Sequence, residues 1–260
     1  MESVLLSWLP LLLVPLIAQF LFAPFIVRFK NSMAAYPQFV PVAAQSLPPG
    51  VAQNFALFVQ AMFAEGFALV GYLYQSNPTP NTTLFMAVMK RAETADMACM
   101  ADITATSAGV SRHALTAEMC TDLEDGTEIN TNNFQYASAF KANPQKKLFR
   151  LPEVRNPRSL YHLHRQLRQH CAPNAKGVLP GEGRDLFHLS NSMTREMRKQ
   201  VEFGYYYLDE TNEVFRPTWK GAFIMTWKLA WPVGAVRKVW MKRKARTIIR
   251  SLSPSAPLMK

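Results

Sequence analysis

The chain has 260 residues, is 49% hydrophobic and 18% charged, and carries a net charge of +11, an ordinary globular composition with room for one domain of about 150 residues plus attachments. Three cysteines, Cys99, Cys120 and Cys171, an odd number without C-x-x-C spacing, argue against a disulfide framework and fit a reducing compartment. Of the 29 Lys and Arg, 11 lie in the last 45 residues, Arg216 to Lys260, where none of the 18 Asp and Glu occurs; the excess charge is local and points to an anionic partner.

Ser3 to Val27 is a run of 25 residues without charge, longer than the roughly 20 that a bilayer core requires. A signal peptide has a basic start and a small-residue cleavage site, whereas here Met1-Glu2 precede the run and Arg28 and Lys30 follow it. Residues 1–30 therefore read as an uncleaved membrane anchor, bent or re-entrant at Pro10, Pro15 and Pro24. Residues 31–48, with Pro37, Pro41 and Pro48, read as a Pro-rich linker.

A helix is expected from Pro49, with Val51, Phe55, Phe58 and Met62 on one face and Gly66 as C-cap. A strand follows, Phe67 to Tyr74; the alternative is a second span over residues 55–74, interrupted by Gln60, Glu65 and Gly66. After the turn cluster Ser76 to Asn81, strands are expected at Thr82–Lys90 and Met97–Ala105, both nearly continuously apolar, and at His113–Leu123, which alternates. Asp125-Gly126 marks a hairpin turn into Thr127–Asn132. Asn156-Pro157 opens a helix with Leu160, Leu163 and Leu167 in register. Ala172–Gly183 reads as a loop, Ser192–Phe203 as a helix, and Glu210–Asn212 as the tip of a short hairpin. The fold class is thus α+β: an antiparallel sheet of four to five strands covered by a helix, with an N-terminal membrane helix and a C-terminal basic aromatic helix. The strand connections look too short for parallel pairs. The domain proper is residues 49–215 and the tail residues 216–260.

The segments LEDGTEINTNN, FRLPEVRNPRSLYHLHRQL and FRPTWKGAFIMTWKLAWP resemble stretches of a group of uncharacterised bacterial membrane-anchored proteins. The likeness is scattered over residues 48 to 232. It implies a membrane-anchored α+β domain and carries over no functional residue.

Candidate chemistry is sparse. No G-x-S-x-G, P-loop, H-E-x-x-H or G-x-G-x-x-G is present. His162, His164 and His188 are the candidate acid/base residues, and His164, Cys171 and His188 the candidate metal ligands. Against them, His162 and His164 lie about 200° apart around a helix, and helix packing explains His164 and Cys171 as well. Cys99 and Cys120 read as buried small hydrophobes. Asp122, Glu124, Asp125 and Glu128 read as a solvated turn without EF-hand spacing. Asn81-Thr82-Thr83 fits a glycosylation sequon. No cofactor is expected.

In the tail, Trp219, Phe223, Trp227 and Trp231 recur every four residues, interrupted by Lys220 and Lys228. Trp at this density suits the headgroup layer, while Lys228 and Pro232 count against a span, so a helix lying in the interface is expected. Arg237, Lys238, Trp240, Lys242, Arg243, Lys244 and Arg246 follow; on a helical wheel their charges run most of the way round, without a clean apolar face. Such a cluster beside a membrane attracts anionic lipid. Nucleic acid is less favoured, because the basic run follows an aromatic helix, an anchor already exists and no nucleic-acid motif is present. Charge places the domain on the cytoplasmic side of a single-pass anchor; were Ala222–Val236 also to span, the domain would be translocated. The expected function is a non-enzymatic membrane-anchored binding or scaffold domain, a component of an assembly with other membrane proteins. The alternative is a membrane-bound enzyme acting on a lipid or lipid-linked substrate through its histidines.

Overall fold

The computed structural model describes residues 2–107 and 109–252; the side chains of residues 2–13, 15, 16 and 107 lie outside that description, as do the last eight residues of the expected tail. Among the described residues there are six helices: α1 (Glu2–Lys30), α2 (Pro49–Phe63), α3 (Pro157–Cys171), α4 (Asp185–Glu202), α5 (Trp219–Leu229) and α6 (Val233–Leu252). The strands are β1 (Met33–Ala34), β2 (Val40–Val42), β3 (Ala68–Ser76), β4 (Thr82–Arg91), β5 (Asp96–Ser107), β6 (Val110–Leu123), β7 (Glu128–Asn132), β8 (Lys146–Arg150), β9 (Gly177–Val178), β10 (Tyr206–Asp209) and β11 (Val214–Pro217). The fold is α+β, as expected. The chain forms two compact units: one of the chain up to Tyr36 with Tyr136–Lys141 and Thr194–Trp240, the other of Pro37–Gln135, Ala142–Met193 and the chain from Met241.

The larger unit is built on an eight-stranded sheet, not one of four to five, in the order β2-β3-β4-β5-β6-β7-β8, with β9 added to the end of β6. The strands from β2 to β7 are antiparallel to their neighbours. β8 instead runs parallel to β7, Glu128 facing Lys146 and Asn132 facing Arg150. This corrects the expectation of antiparallel pairing throughout: residues 133–145 supply the dozen or so residues that a parallel return needs. The alternation in β6 sorts its faces, with Ala117, Met119, Thr121 and Leu123 buried and Glu118, Cys120 and Asp122 half-buried on the other side. The buried face packs against α2 and α3 through Phe55, Phe58, Met62, Met89, Met119, Leu160 and Tyr161. Leu186 and Leu189 of α4 pack on the opposite face against Leu73, Leu84, Met86 and Val88.

Local signals place the ends of these elements. Pro49 sits in the first turn of α2, where its missing N–H costs nothing. Gly66, at φ +83°, turns the chain from α2 into β3, a backbone conformation that favours glycine. The stretch 55–74, the alternative second span, is thereby divided into the end of α2, a turn and β3. Asn156 caps α3 by accepting from the Arg158 and Ser159 N–H groups.

The smaller unit holds α1, the three-stranded antiparallel sheet β1-β11-β10, the second part of α4, α5 and the start of α6. Its core is Ala35, Met197, Tyr205, Tyr206, Phe215 and Met225. Residues 31–48 are therefore more than a linker, since β1 pairs with β11 and β2 with β3. At the start of α5, Thr218 donates to the Gly204 carbonyl at 2.7 Å and accepts from the Gly221 N–H at 2.9 Å. A Cβ at Gly221 would collide with the Tyr205 carbonyl.

Among the described residues no helix is long and apolar enough to cross a membrane. The expected anchor, Ser3–Val27, falls largely on residues whose side chains lie outside the description.

Candidate functional site

The three candidate histidines do not converge. α3 lays Leu160, Tyr161, His164 and Leu167 against the sheet, and this turns His162 outward, 3.4 Å from Glu65. His164 is fully buried. His188, on α4, lies against the opposite face of the sheet, with Nε2 2.8 Å from the Asp122 carboxylate. Cys171 is half-buried in the last turn of α3. The metal set of His164, Cys171 and His188 is therefore not assembled, because its members belong to different faces of the sheet.

His164 belongs to a closed polar network inside the larger unit. Thr121 Oγ1 donates to Asp96 Oδ1 at 2.5 Å and lies 2.9 Å from His164 Nε2, while His164 Nδ1 lies 3.0 Å from Thr131 Oγ1. Since Thr121 gives its one proton to Asp96, Nε2–H must donate to Thr121, and Nδ1 then accepts from Thr131. The ring is neutral in this arrangement, and burial pushes its pKa down to about 4, with Arg168 adding to the effect and Asp96 opposing it. Its 4.0 Å approach to Asp96 is accordingly no ion pair. Asp96 is also held by the Tyr161 hydroxyl and by Arg168, each at 3.0 Å. Every polar atom of the imidazole is satisfied by protein, which is what a buried polar group needs for stability; a general acid or base needs a position open to substrate. Above the network lies an open polar cleft of about 640 Å³ lined by Glu93, Asp96, His162, Arg165 and Arg168.

A second polar cluster occupies the opposite face of β6, β7 and β8. Asn130 donates to Glu118 at 2.6 Å and to Glu128 at 3.1 Å, and Asn132 donates to Asn130 at 3.2 Å. Lys146 pairs with Glu128 at 2.7 Å. Burial opposes its charge, but Glu118 and Glu128 outweigh that and raise its pKa. Cys120, Asp122 and Glu128 offer three ligand atoms within 4.8 Å of one another. Glu128 meets the Lys146 ammonium and Asp122 the His188 ring, and burial raises the Cys120 thiol well above its ordinary range, with Glu128 and Asp122 adding to the effect. The sequence reading of Asp122 and Glu128 as a solvated turn missed this cluster; the alternation in β6, which puts Glu118, Cys120 and Asp122 on one face, was the signal for it.

The smaller unit brings together the two segments expected to meet a membrane. α5 packs beside α1, with Trp219 against Phe25 and Phe29 at ring-centre distances of 5.1 and 5.7 Å, and Trp227 against Phe20 at 5.2 Å. The order of these contacts makes the two helices antiparallel. Phe22, Phe25, Ile26 and Phe29 of α1 and Phe223, Trp227, Leu229 and Trp231 on the α5 side stay exposed, Phe22 and Trp231 at 66%.

Of the cations expected to bind lipid, several are engaged by protein. Lys228 turns inward to the carbonyls of Ala139 and Phe140 and to the Tyr205 hydroxyl. Arg237 donates to the Lys228 and Ser138 carbonyls. Lys220 reaches the Phe203 carbonyl at 3.3 Å, and Lys238 lies over the Tyr136 ring. Arg246 pairs with Glu153 in the larger unit. Arg243 and Lys244 are exposed and Lys242 half-buried, while Trp219 and Trp240 are exposed. The helical wheel of α6 is also corrected: Met241 and Ala245 are buried, and Ile248, Ile249 and Leu252 join Ala245 in packing on the core of the larger unit. This is an apolar stripe at i, i+4, i+7, i+8 and i+11.

Compared with protein-family models, curated proteins and solved structures, the chain matches none.

Proposed function

We propose that the protein is a membrane-attached binding module, a non-enzymatic component of a membrane assembly, attached through its smaller unit. The observation that carries this reading is the pairing of α1 with α5, which leaves Phe22, Phe25, Ile26, Phe29, Phe223, Trp227 and Trp231 exposed in one two-helix element. Water-facing surfaces rarely carry so many large apolar groups together, and aromatic rings of this kind suit the boundary between headgroup and acyl chain. The uncharged run Ser3–Val27 makes up most of α1. Lys220 and Lys238, exposed in the same unit, supply attraction to anionic headgroups.

Flotation of the full chain with vesicles tests the reading. The chain is expected to rise with phosphatidylcholine vesicles and more completely when phosphatidylglycerol is included. A chain that remains at the bottom of the gradient with both compositions rules out membrane attachment.

A further inference from the structure

We infer that the corner between α5 and α6, Trp227–Val236, rests in the headgroup layer of a bilayer that α1 enters N-terminus first, so that depth increases from Trp219 through Trp227 to Trp231. The inference rests on the membrane attachment proposed above and adds its orientation.

Three observations carry it. First, α1 has no polar side with which to lie flat: Ser3–Val27 contains no charge, and a helix in the interface plane needs a strongly polar face. Ser3 to Gln19, ahead of the contact between Phe20 and Trp227, is a stretch of 17 residues, about 25 Å of helix at 1.5 Å per residue, close to the roughly 30 Å of a bilayer core. Second, the antiparallel pairing fixes which end of α5 follows α1 toward lipid. Trp219 sits beside Phe25 and Phe29, and Trp227 beside Phe20, so the C-terminal end of α5 points the way α1 enters. Trp227, Leu229, Trp231 and Val236, all more than half exposed, then lie at or just beyond the end of α5 that Phe20 marks.

Third, the charges sort by level. Arg28 lies over the rings of Tyr207 and Trp219, at the end of the pair away from lipid. At the other end, Lys228 and Arg237 are drawn to the carbonyls of Ser138, Ala139 and Phe140. The charge of Lys228, which in the sequence counts against burial of this segment, therefore points into protein and leaves Trp227 and Trp231 free to meet the acyl boundary. Exposed Lys238, over Tyr136, sits where an anionic headgroup would be.

Depth-dependent quenching of tryptophan by brominated lipids tests this. Full-length chains keeping one of Trp219, Trp227 or Trp231, with the other tryptophans replaced by Phe, are bound to phosphatidylcholine–phosphatidylglycerol vesicles brominated near the headgroup or deep in the chain. Trp219 and Trp227 are eight residues apart, about 12 Å along a helix, so Trp227 and Trp231 are expected to be quenched at least about twofold more than Trp219 by the shallow label. The deep label is expected to reach Trp231 best. If the multiple replacement prevents folding, single Trp→Phe changes give the same ordering as losses of quenching from the unsubstituted chain. Equal quenching at all three positions, the reverse order, or no quenching while the chain still floats overturns the orientation and leaves membrane attachment standing. A chain that does not float at all overturns both.

Discussion

At the scale of single residues, the polar groups inside the larger unit act as structure. His164 is neutral because burial and Arg168 disfavour its charge, and its folded pKa of about 4 lies below the ordinary 6.5. Between those two values the unfolded chain binds the proton that the folded chain refuses, so stability is full above about pH 6.5 and falls as pH drops toward 4. A shift of this size is worth about 3 kcal/mol. Urea titrations of the detergent-solubilised chain are expected to show that loss, and His164→Gln, which cannot titrate, to flatten it. A wild-type midpoint that stays constant from pH 6.5 to 4 contradicts the assignment. Leu160, Leu163 and Leu167 announced α3 in the sequence. That His164 faces a buried carboxylate from β5 could not be read there, because Asp96 and Thr121 are brought to it only by strand pairing.

At the scale of elements, what could be read depended on length and periodicity. α2, α3 and the strands β3 to β6 carry long apolar or alternating patterns, and β7 follows from the Asp125-Gly126 turn, so all of them lie near their expected positions. β8 was not expected: Lys146–Arg150 is short and rich in charge, the composition of an edge strand. β1 and β2 have two and three residues, and only pairing with distant partners defines them. The stripe of α6 is hard to read in sequence because Met241, Ala245, Ile248 and Leu252 are interleaved with dense basic residues and Ala245 is small. This stripe yields a paired prediction. Ala245→Asp places a charge at a position that is 1% exposed and is expected to cost about 3 kcal/mol. Arg246→Ala removes only an exposed ion pair with Glu153 and is expected to cost a small fraction of that. Chemical denaturation of both variants checks the contrast; equal effects would mean that α6 does not dock through Ala245.

At the scale of the whole molecule, the basic tail changes character. Its charge excess suggests a basic cluster turned to anionic lipid, yet Lys228 and Arg237 hold backbone carbonyls, Arg246 holds Glu153, and the part of α6 bearing Lys242, Arg243 and Lys244 is packed into the larger unit. Aromatic residues rather than loose cations are what the smaller unit presents, in a pair of helices drawn from the two ends of the sequence. That pair was visible in the sequence only as two separate apolar signals, since nothing in either segment encodes its partner. The contact of this pair with lipid is the proposal made above. The most direct test is photolabelling of the full chain in vesicles whose acyl chains carry a diazirine, with the labelled residues mapped by mass spectrometry. Label is predicted on Trp227, Leu229 and Trp231 as well as on α1, and none on Asn130, Asn132 or His188. Label confined to residues 1–16, with none between Thr218 and Val236, would contradict it.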